Sequence, residues 1–168
     1  MKVFVGYDPR EDIAYQVCKH SIVSKQPNAD VRPLVQKELR DKGWYTRPVD
    51  KLASTEFTFT RFLVPELCNF EGWALFMDCD MILTTDIAEL FAQADDRYAV
   101  MCVQHRFSWI KDEEIGTLDH TWNYLVGVYD DIKRPKLIHY TEGGPWFENY
   151  RNCEFHQEWK DELYDMFK

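Results

Sequence analysis

The stretch "ALFMDCDMIL", residues 74–83, places two aspartates two positions apart inside an apolar run. A short apolar run bounded by polar residues reads as a buried strand. Ionised carboxylates are costly there unless something pairs with them. Alternate side chains of an extended segment point the same way, so Asp78 and Asp80 are expected on one face and Cys79 on the other. Two carboxylates that close repel each other unless a cation sits between them. Oxygen ligands favour Mg²⁺, Mn²⁺ or Ca²⁺, and an added imidazole moves the preference towards Mn²⁺. His139, which ends the apolar run "KLIH", is the candidate third ligand. Each signal alone has a plainer reading, an Asp-x-Asp turn or cap and a packed or surface histidine. The apolar run before each one favours the metal.

Outward from that stretch, apolar strand-like runs alternate with helical patterns. "KVFVGY" reads as a first strand ending at Asp8-Pro9, and "REDIAYQVCKHSIVSK" as a helix with Ile13, Val17 and Ile22 on its apolar side. "DVRPLVQ" reads as a strand, with Pro33 marking an edge. "STEFTFTRFLVPEL" carries a helix start signal and predicts a helix from about Glu56. "WALFM", "YAVMCV" and "PKLIHY" predict strands, and "DIAELFAQA" and "DHTWNYLVGVY" predict helices. In the last segment Phe155, Trp159 and either Leu163 or Tyr164 share a helical face. This alternation predicts an α/β sandwich with a mostly parallel central sheet and flanking helices, as one domain over residues 1–168. Ligands of such sheets sit beyond the carboxyl ends of the strands, where Asp8, Asp78, Asp80 and His139 all fall.

Bulk composition narrows the partners. The net charge of −9, from 20 basic and 29 acidic residues, argues against a nucleic-acid or anionic-membrane surface. A local anion site stays open because a bound cation can supply the missing positive charge. Cys18, Cys68, Cys79, Cys102 and Cys153 are scattered and odd in number, which predicts buried thiols instead of a disulfide framework or zinc knuckle. No signal peptide and no membrane-spanning run is read, so a reducing, cytoplasmic location is expected.

The segment "WALFMDCDMILTTDIAELF" resembles the Asp-x-Asp region of nucleotide-sugar glycosyltransferases of the GT-A (Rossmann-like) fold, most of all the retaining family 8 group that includes glycogenin. "KLIHYTEGGPW" is similar to that group's late strand, with its metal-binding histidine, Gly-containing turn and Pro-Trp. "TFTRFLVPEL" and "VFVGYD" stand where the group has its donor-facing helix and its opening strand, so the resemblance runs from about Lys2 to Trp146. It implies a hexosyltransferase that uses a nucleoside-diphosphate sugar, UDP-glucose or UDP-galactose by analogy, with Mn²⁺ or Mg²⁺, and retains the anomeric configuration. It implies that Asp78, Asp80 and His139 hold the metal and that Arg61 meets the donor phosphates or the metal-binding aspartate. Tyr7 and Asp8 would lie against base and ribose, and Gly143 and Gly144 would let the backbone approach the diphosphate.

Two departures stand out. The group places a lysine just before Pro-Trp, where this chain has Gly144, so the phosphate contact is missing or comes from Arg61, Lys136 or Arg151. The stretch between the Asp-x-Asp strand pair and the late histidine, which meets sugar and acceptor in the group, is cut down to roughly "HRFSWIKDEEIGTLDHTW". That leaves the acceptor, a saccharide or other hydroxyl compound, unspecified, and predicts an open site that hydrolyses its donor slowly. A homo-oligomer that covers the gap stays open. A donor-binding remnant or nucleotide-sugar hydrolase is the alternative. An aspartate-nucleophile phosphohydrolase is a weaker one, since those enzymes carry the motif on the first strand. Asp119 reads as an N-cap before it reads as a sugar contact. Trp109, Trp122, Trp146 and Phe147 read as packing before they read as sugar platforms, with Trp146 the strongest of the four because it follows the glycine turn. His105 and His120 are left as surface or structural residues.

Overall fold

The computed structural model describes residues 1–103, 110–130 and 132–168, so the expectations for His105 and Trp109 lie outside the described residues. The chain opens with β1 (Lys2–Gly6), in which Val3, Phe4 and Val5 are all buried. Burial on both faces is the mark of a central parallel strand. α1 (Asp12–Val23) follows, and its inner side is Ala14, Tyr15, Val17, Cys18, Ser21 and Ile22, while Ile13 is turned to solvent. β2 (Asp30–Leu34) then pairs parallel to β1 at the sheet edge, where Pro33 costs no ladder bond.

A short helix that the sequence did not announce, α2 (Gln36–Asp41), buries Leu39 among Phe4, Leu34 and Tyr45. The helix expected from Glu56 is instead a run of turns, a 3₁₀ segment at Thr60–Leu63 and a single turn, α3 (Val64–Leu67). Thr55, Thr58 and Thr60 alternate there with phenylalanines, a composition that disfavours the helix interior. β3 (Ala74–Met77) pairs parallel to the other side of β1, which gives the sheet order β2-β1-β3.

Beyond β3 the chain turns at once into β4 (Met81–Leu83) and then α4 (Ala88–Phe91). β5 (Val100–Cys102) and β6 (Ile115–Thr117) form a separate parallel pair. The helix expected over "DHTWNYLVGVY" is a 3₁₀ turn at His120–Asn123 followed by β7 (Tyr124–Leu125). Trp122, Tyr124 and Val126 are poor helix formers, and Gly127 adopts φ 81. β8 (Leu137–His139) lies between β4, antiparallel, and β7, parallel. The last helix, α5 (His156–Asp165), packs Phe155, Trp159 and Leu163 against Val17, Ile82, Tyr124 and Ile138, and leaves Tyr164 in solvent. The sheets are thus mostly parallel, with helices against them, as the alternation predicts.

Candidate metal and donor site

Strand register builds the site. β3 ends at Met77 and β4 begins at Met81, so Asp78, Cys79 and Asp80 form the turn between two strands rather than a continuous extended segment. Cys79 is buried in the core at the bend, and the two carboxylates converge on the other side. Met81 pairs with His139, and the Tyr140 amide donates to the Asp80 carbonyl at 2.9 Å. That register sets the third group beside the second. One ligand atom each from Asp78, Asp80 and His139 lie within 4.8 Å of one another.

The donor set fits a divalent cation. Asp78 Oδ1 and Asp80 Oδ1 are both buried and accept no hydrogen bond. Buried carboxylate oxygens without partners are rare in proteins and call for a compensating charge. His139 Nε2 faces Asp80 Oδ1 at 3.4 Å, and His139 Nδ1 lies 2.8 Å from Asn123 Oδ1. Arg61 Nη2 comes within 3.2 Å of Asp78 Oδ1 as an ion pair without hydrogen-bond alignment, its guanidinium lying over the Phe76 ring. Burial pushes the Asp78 carboxyl above the usual carboxylate range; Arg61 opposes this, the Asp80 charge adds to it, and His139 opposes it. A cation at this point would relieve both the burial and the repulsion.

These groups open on a cavity of about 290 Å³ whose walls include Glu11, Thr55, Phe57 and the turn from Tyr140 to Gly143. Of the three cations considered for the phosphates, Arg61 lines this cavity. Lys136 instead pairs with Glu89 at 2.9 Å over the Trp122 ring, and Arg151 is exposed elsewhere. Glu11 is a wall residue that the sequence reading did not single out. Burial raises its carboxyl, and the charges of Asp80 and Asp8 raise it further. Its signal was faint, a second acidic residue just past the first strand inside what read as a helix start. A second cavity of about 370 Å³ adjoins through Thr55 and is lined by Arg10, Gln36, Arg40, Tyr45 and Phe59.

Other expected residues take structural positions. The Tyr7 hydroxyl donates to Asp12 Oδ1 at 2.9 Å, its ring meets Tyr15 edge-on, and it lines neither cavity. Gly143 has φ 136, and a Cβ on it would sit 2.7 Å from the Tyr150 ring. A Cβ on Gly144 would sit 1.9 Å from the Trp146 ring. Packing therefore demands glycine at both places whether or not a ligand comes near. Trp146 is wedged among Tyr140, Phe147 and Trp159, and Phe147 lies on the cavity wall beside Phe57 and Tyr140. Asp119 accepts from the Thr121 amide at 2.9 Å, the N-cap the sequence suggested. Trp122 is core.

Asp8 is fully buried. Its Oδ1 accepts from the Arg10 amide and Nε, and its Oδ2 accepts from Arg10 Nη2 and the Glu56 amide. Arg10 Nη2 also donates to the Ser54 carbonyl, so this carboxylate fastens residues 54–56 to the end of β1. The Arg10 hydrogen bonds hold the Asp8 carboxyl below the ordinary range. A depressed folded pKa gives stability that is present above the unfolded value of about 3.9 and is lost as pH falls through the folded value. Asp8→Asn is expected to cost about 2 kcal/mol at pH 7, from the charge-assisted bonds it loses. It should also flatten the drop in stability below about pH 4. Urea melts of both proteins between pH 3 and 7 measure this, and an equal acid slope in the two would show that Asp8 carries none of it.

A mostly parallel α/β sandwich, with an Asp-x-Asp turn at a strand end and a histidine from the neighbouring strand, defines the GT-A glycosyltransferase fold class. Solved structures agree. The bifunctional glycosyltransferase WbbM superposes with a TM-score of 0.71 at 14% identity, over 97% of this chain and 49% of that one. The glycosyltransferase GlyE of Streptococcus pneumoniae TIGR4 gives 0.64 at 14%, over 96% and 60%. Galactosyltransferase LgtC, solved with donor and acceptor sugar analogs, gives 0.62 at 8%, over 98% and 96%. At such identities the likeness establishes the fold. No family model matches the sequence. Protein CDI of Arabidopsis thaliana is 38% identical over 226 residues, which take in 99% of this chain and 87% of the plant protein, and the chain belongs to that protein's family. The motif follows β3, the third strand, and not the first strand on which aspartate-nucleophile phosphohydrolases carry it.

Proposed function

We propose that this chain, acting as one domain over residues 1–168, is a divalent-metal-dependent glycosyltransferase. Its donor is a nucleoside-diphosphate hexose. The observation that carries the reading is the pair of buried oxygens on Asp78 and Asp80 that accept no hydrogen bond and gather with His139 Nε2 on a cavity wall. The sequence resemblance to the retaining family 8, glycogenin-like group supports UDP as the nucleotide, Mn²⁺ as the metal and retention at the anomeric carbon. When bound, the metal supplies Lewis-acid stabilisation of the departing diphosphate. The chain's own residues do the rest. Asp78 and Asp80, with His139, would hold the cation, and Arg61, already poised over Phe76, would add a preorganised positive charge to the leaving phosphates. Five free cysteines support a reducing, cytoplasmic setting. No helix among the described residues is long and apolar enough to cross a membrane.

The alignment with the plant relative spans 226 positions against 168 residues here, so several tens of that relative's residues have no counterpart in this chain. The sequence resemblance, in which the stretch before the late histidine is cut down here, supports a reduced acceptor side, and with it slow loss of donor to water, since closed sites suppress hydrolysis by excluding water. The test is a screen of nucleotide sugars with Mn²⁺ that follows free nucleoside diphosphate and free sugar, with and without saccharide acceptors. Nucleotide release should require the metal and stop in EDTA, and free sugar should accumulate when no acceptor is present. Undiminished turnover in excess EDTA sinks the metal reading. Silence without acceptor, with efficient transfer to one acceptor, shows a complete acceptor site.

A further inference from the structure

We infer that Asn123 is a positioning residue for the metal site, because it fixes which nitrogen of His139 is free to bind a cation. The inference rests on the metal-binding reading above. Asn123 closes the 3₁₀ turn His120–Asn123, whose start is capped by Asp119, and it precedes β7. β7 runs parallel to β8 with Leu125 opposite His139. Asn123 stands at the end of the turn, just ahead of this strand pair. Its Oδ1 is 2.8 Å from His139 Nδ1. An amide oxygen only accepts hydrogen bonds, so Nδ1 carries the proton. In the neutral ring the other nitrogen then has a lone pair.

That lone pair is aimed at the acidic pair. His139 Nε2 stands 3.4 Å from Asp80 Oδ1, an oxygen that accepts no hydrogen bond. Two electron-rich atoms therefore face each other across the gap, where a cation can serve both. The opposite tautomer would put a proton on Nε2 and remove it as a ligand. Ligating histidines generally give their second N–H to such an outer partner, and loss of that partner weakens metal binding by roughly 10- to 100-fold. His139 is almost fully buried, so water is poorly placed to substitute for the amide. The turn that displaced the expected helix is thus the element that delivers the amide to the histidine.

The test compares Asn123→Leu, which keeps the size and removes the acceptor, with Asn123→Asp, which keeps an acceptor facing Nδ1–H. Mn²⁺ affinity is read from the electron paramagnetic resonance of free Mn²⁺, without donor or turnover. The apo tautomer of His139 is read from imidazole ¹⁵N shifts. Asn123→Leu is expected to bind Mn²⁺ roughly 10- to 100-fold more weakly than wild type. Asn123→Asp should stay within a few fold, and the wild-type ring should carry its proton on Nδ1. Equal affinity in wild type and Asn123→Leu overturns the role of Asn123 while leaving the metal site standing. A wild-type ring protonated on Nε2 does the same, and needs no variant to fold. Absence of any Mn²⁺ binding by the wild-type protein overturns the metal site and this inference together.

Discussion

Asp80→Asn should erase the stabilisation that Mn²⁺ plus nucleoside diphosphate gives the wild-type protein, and with it all donor turnover. Wild type at ligand concentrations about 100-fold above Kd gains about 2.7 kcal/mol, which for a chain of this size is roughly 5–10 °C in melting temperature. The variant should gain nothing measurable. Without ligand the order should reverse. Asp80 carries a buried oxygen with no hydrogen bond, close to Asp78 and within reach of Glu11 in the cavity wall. Removing one of several crowded negative charges relieves repulsion. The apo variant is therefore expected to melt at or slightly above wild type. Thermal melts with and without ligand check both halves. A full ligand-induced shift in Asp80→Asn would falsify its role in binding, and a large apo loss would mark it as a structural residue instead.

Gly144→Ala is expected to destabilise the apo protein by about 3 kcal/mol, at the upper end of what overpacking a core costs. The new methyl would lie 1.9 Å from the Trp146 ring, and that ring has little room to move, being held edge-on by Tyr140 and tilted against Phe147 and Trp159. Because Trp159 belongs to α5, the displacement should also loosen the contact between that helix and the sheet. Denaturant unfolding of the apo variant, followed by tryptophan fluorescence, gives the number. If instead the apo protein is untouched and only nucleotide affinity falls, glycine is needed there for a ligand's approach, and the packing account fails.

How legible was all this in the chain? The three candidate ligands were, because apolar runs end abruptly at Asp78 and His139, and an ionisable group at a buried strand end needs a reason. The backbone carrying them was not. Alternation along an extended strand put Asp78 and Asp80 on one face, whereas a tight turn between β3 and β4 does so, and nothing in "MDCDM" distinguishes the two. Asn123 and Glu11 were missed for a different cause. Each sits in a segment that read as a helix, where a lone polar residue reads as a solvated face. Their significance lies in what they face across the fold, and single-chain periodicity is blind to that. The glycines before Pro-Trp were noticed for the right property and a different purpose, since the residues that require them, Trp146 and Tyr150, come later in the chain.

Residues 54–56 form part of the wall of both cavities and belong to no strand ladder; Asp8 and Arg10 fasten them to β1 by side-chain bonds. A wall hung on charge opens by a different route from a wall built into a sheet. Its backbone amides are expected to exchange with deuterated solvent through local openings far cheaper than global unfolding, while the amides of β1 wait for the whole fold to open. Because one arginine of the fastening is largely solvent-exposed, added salt should speed exchange at Glu56 and leave Val3 to Val5 unchanged. The cavity would then have its own breathing frequency, set by ionic strength and independent of the stability of the core behind it.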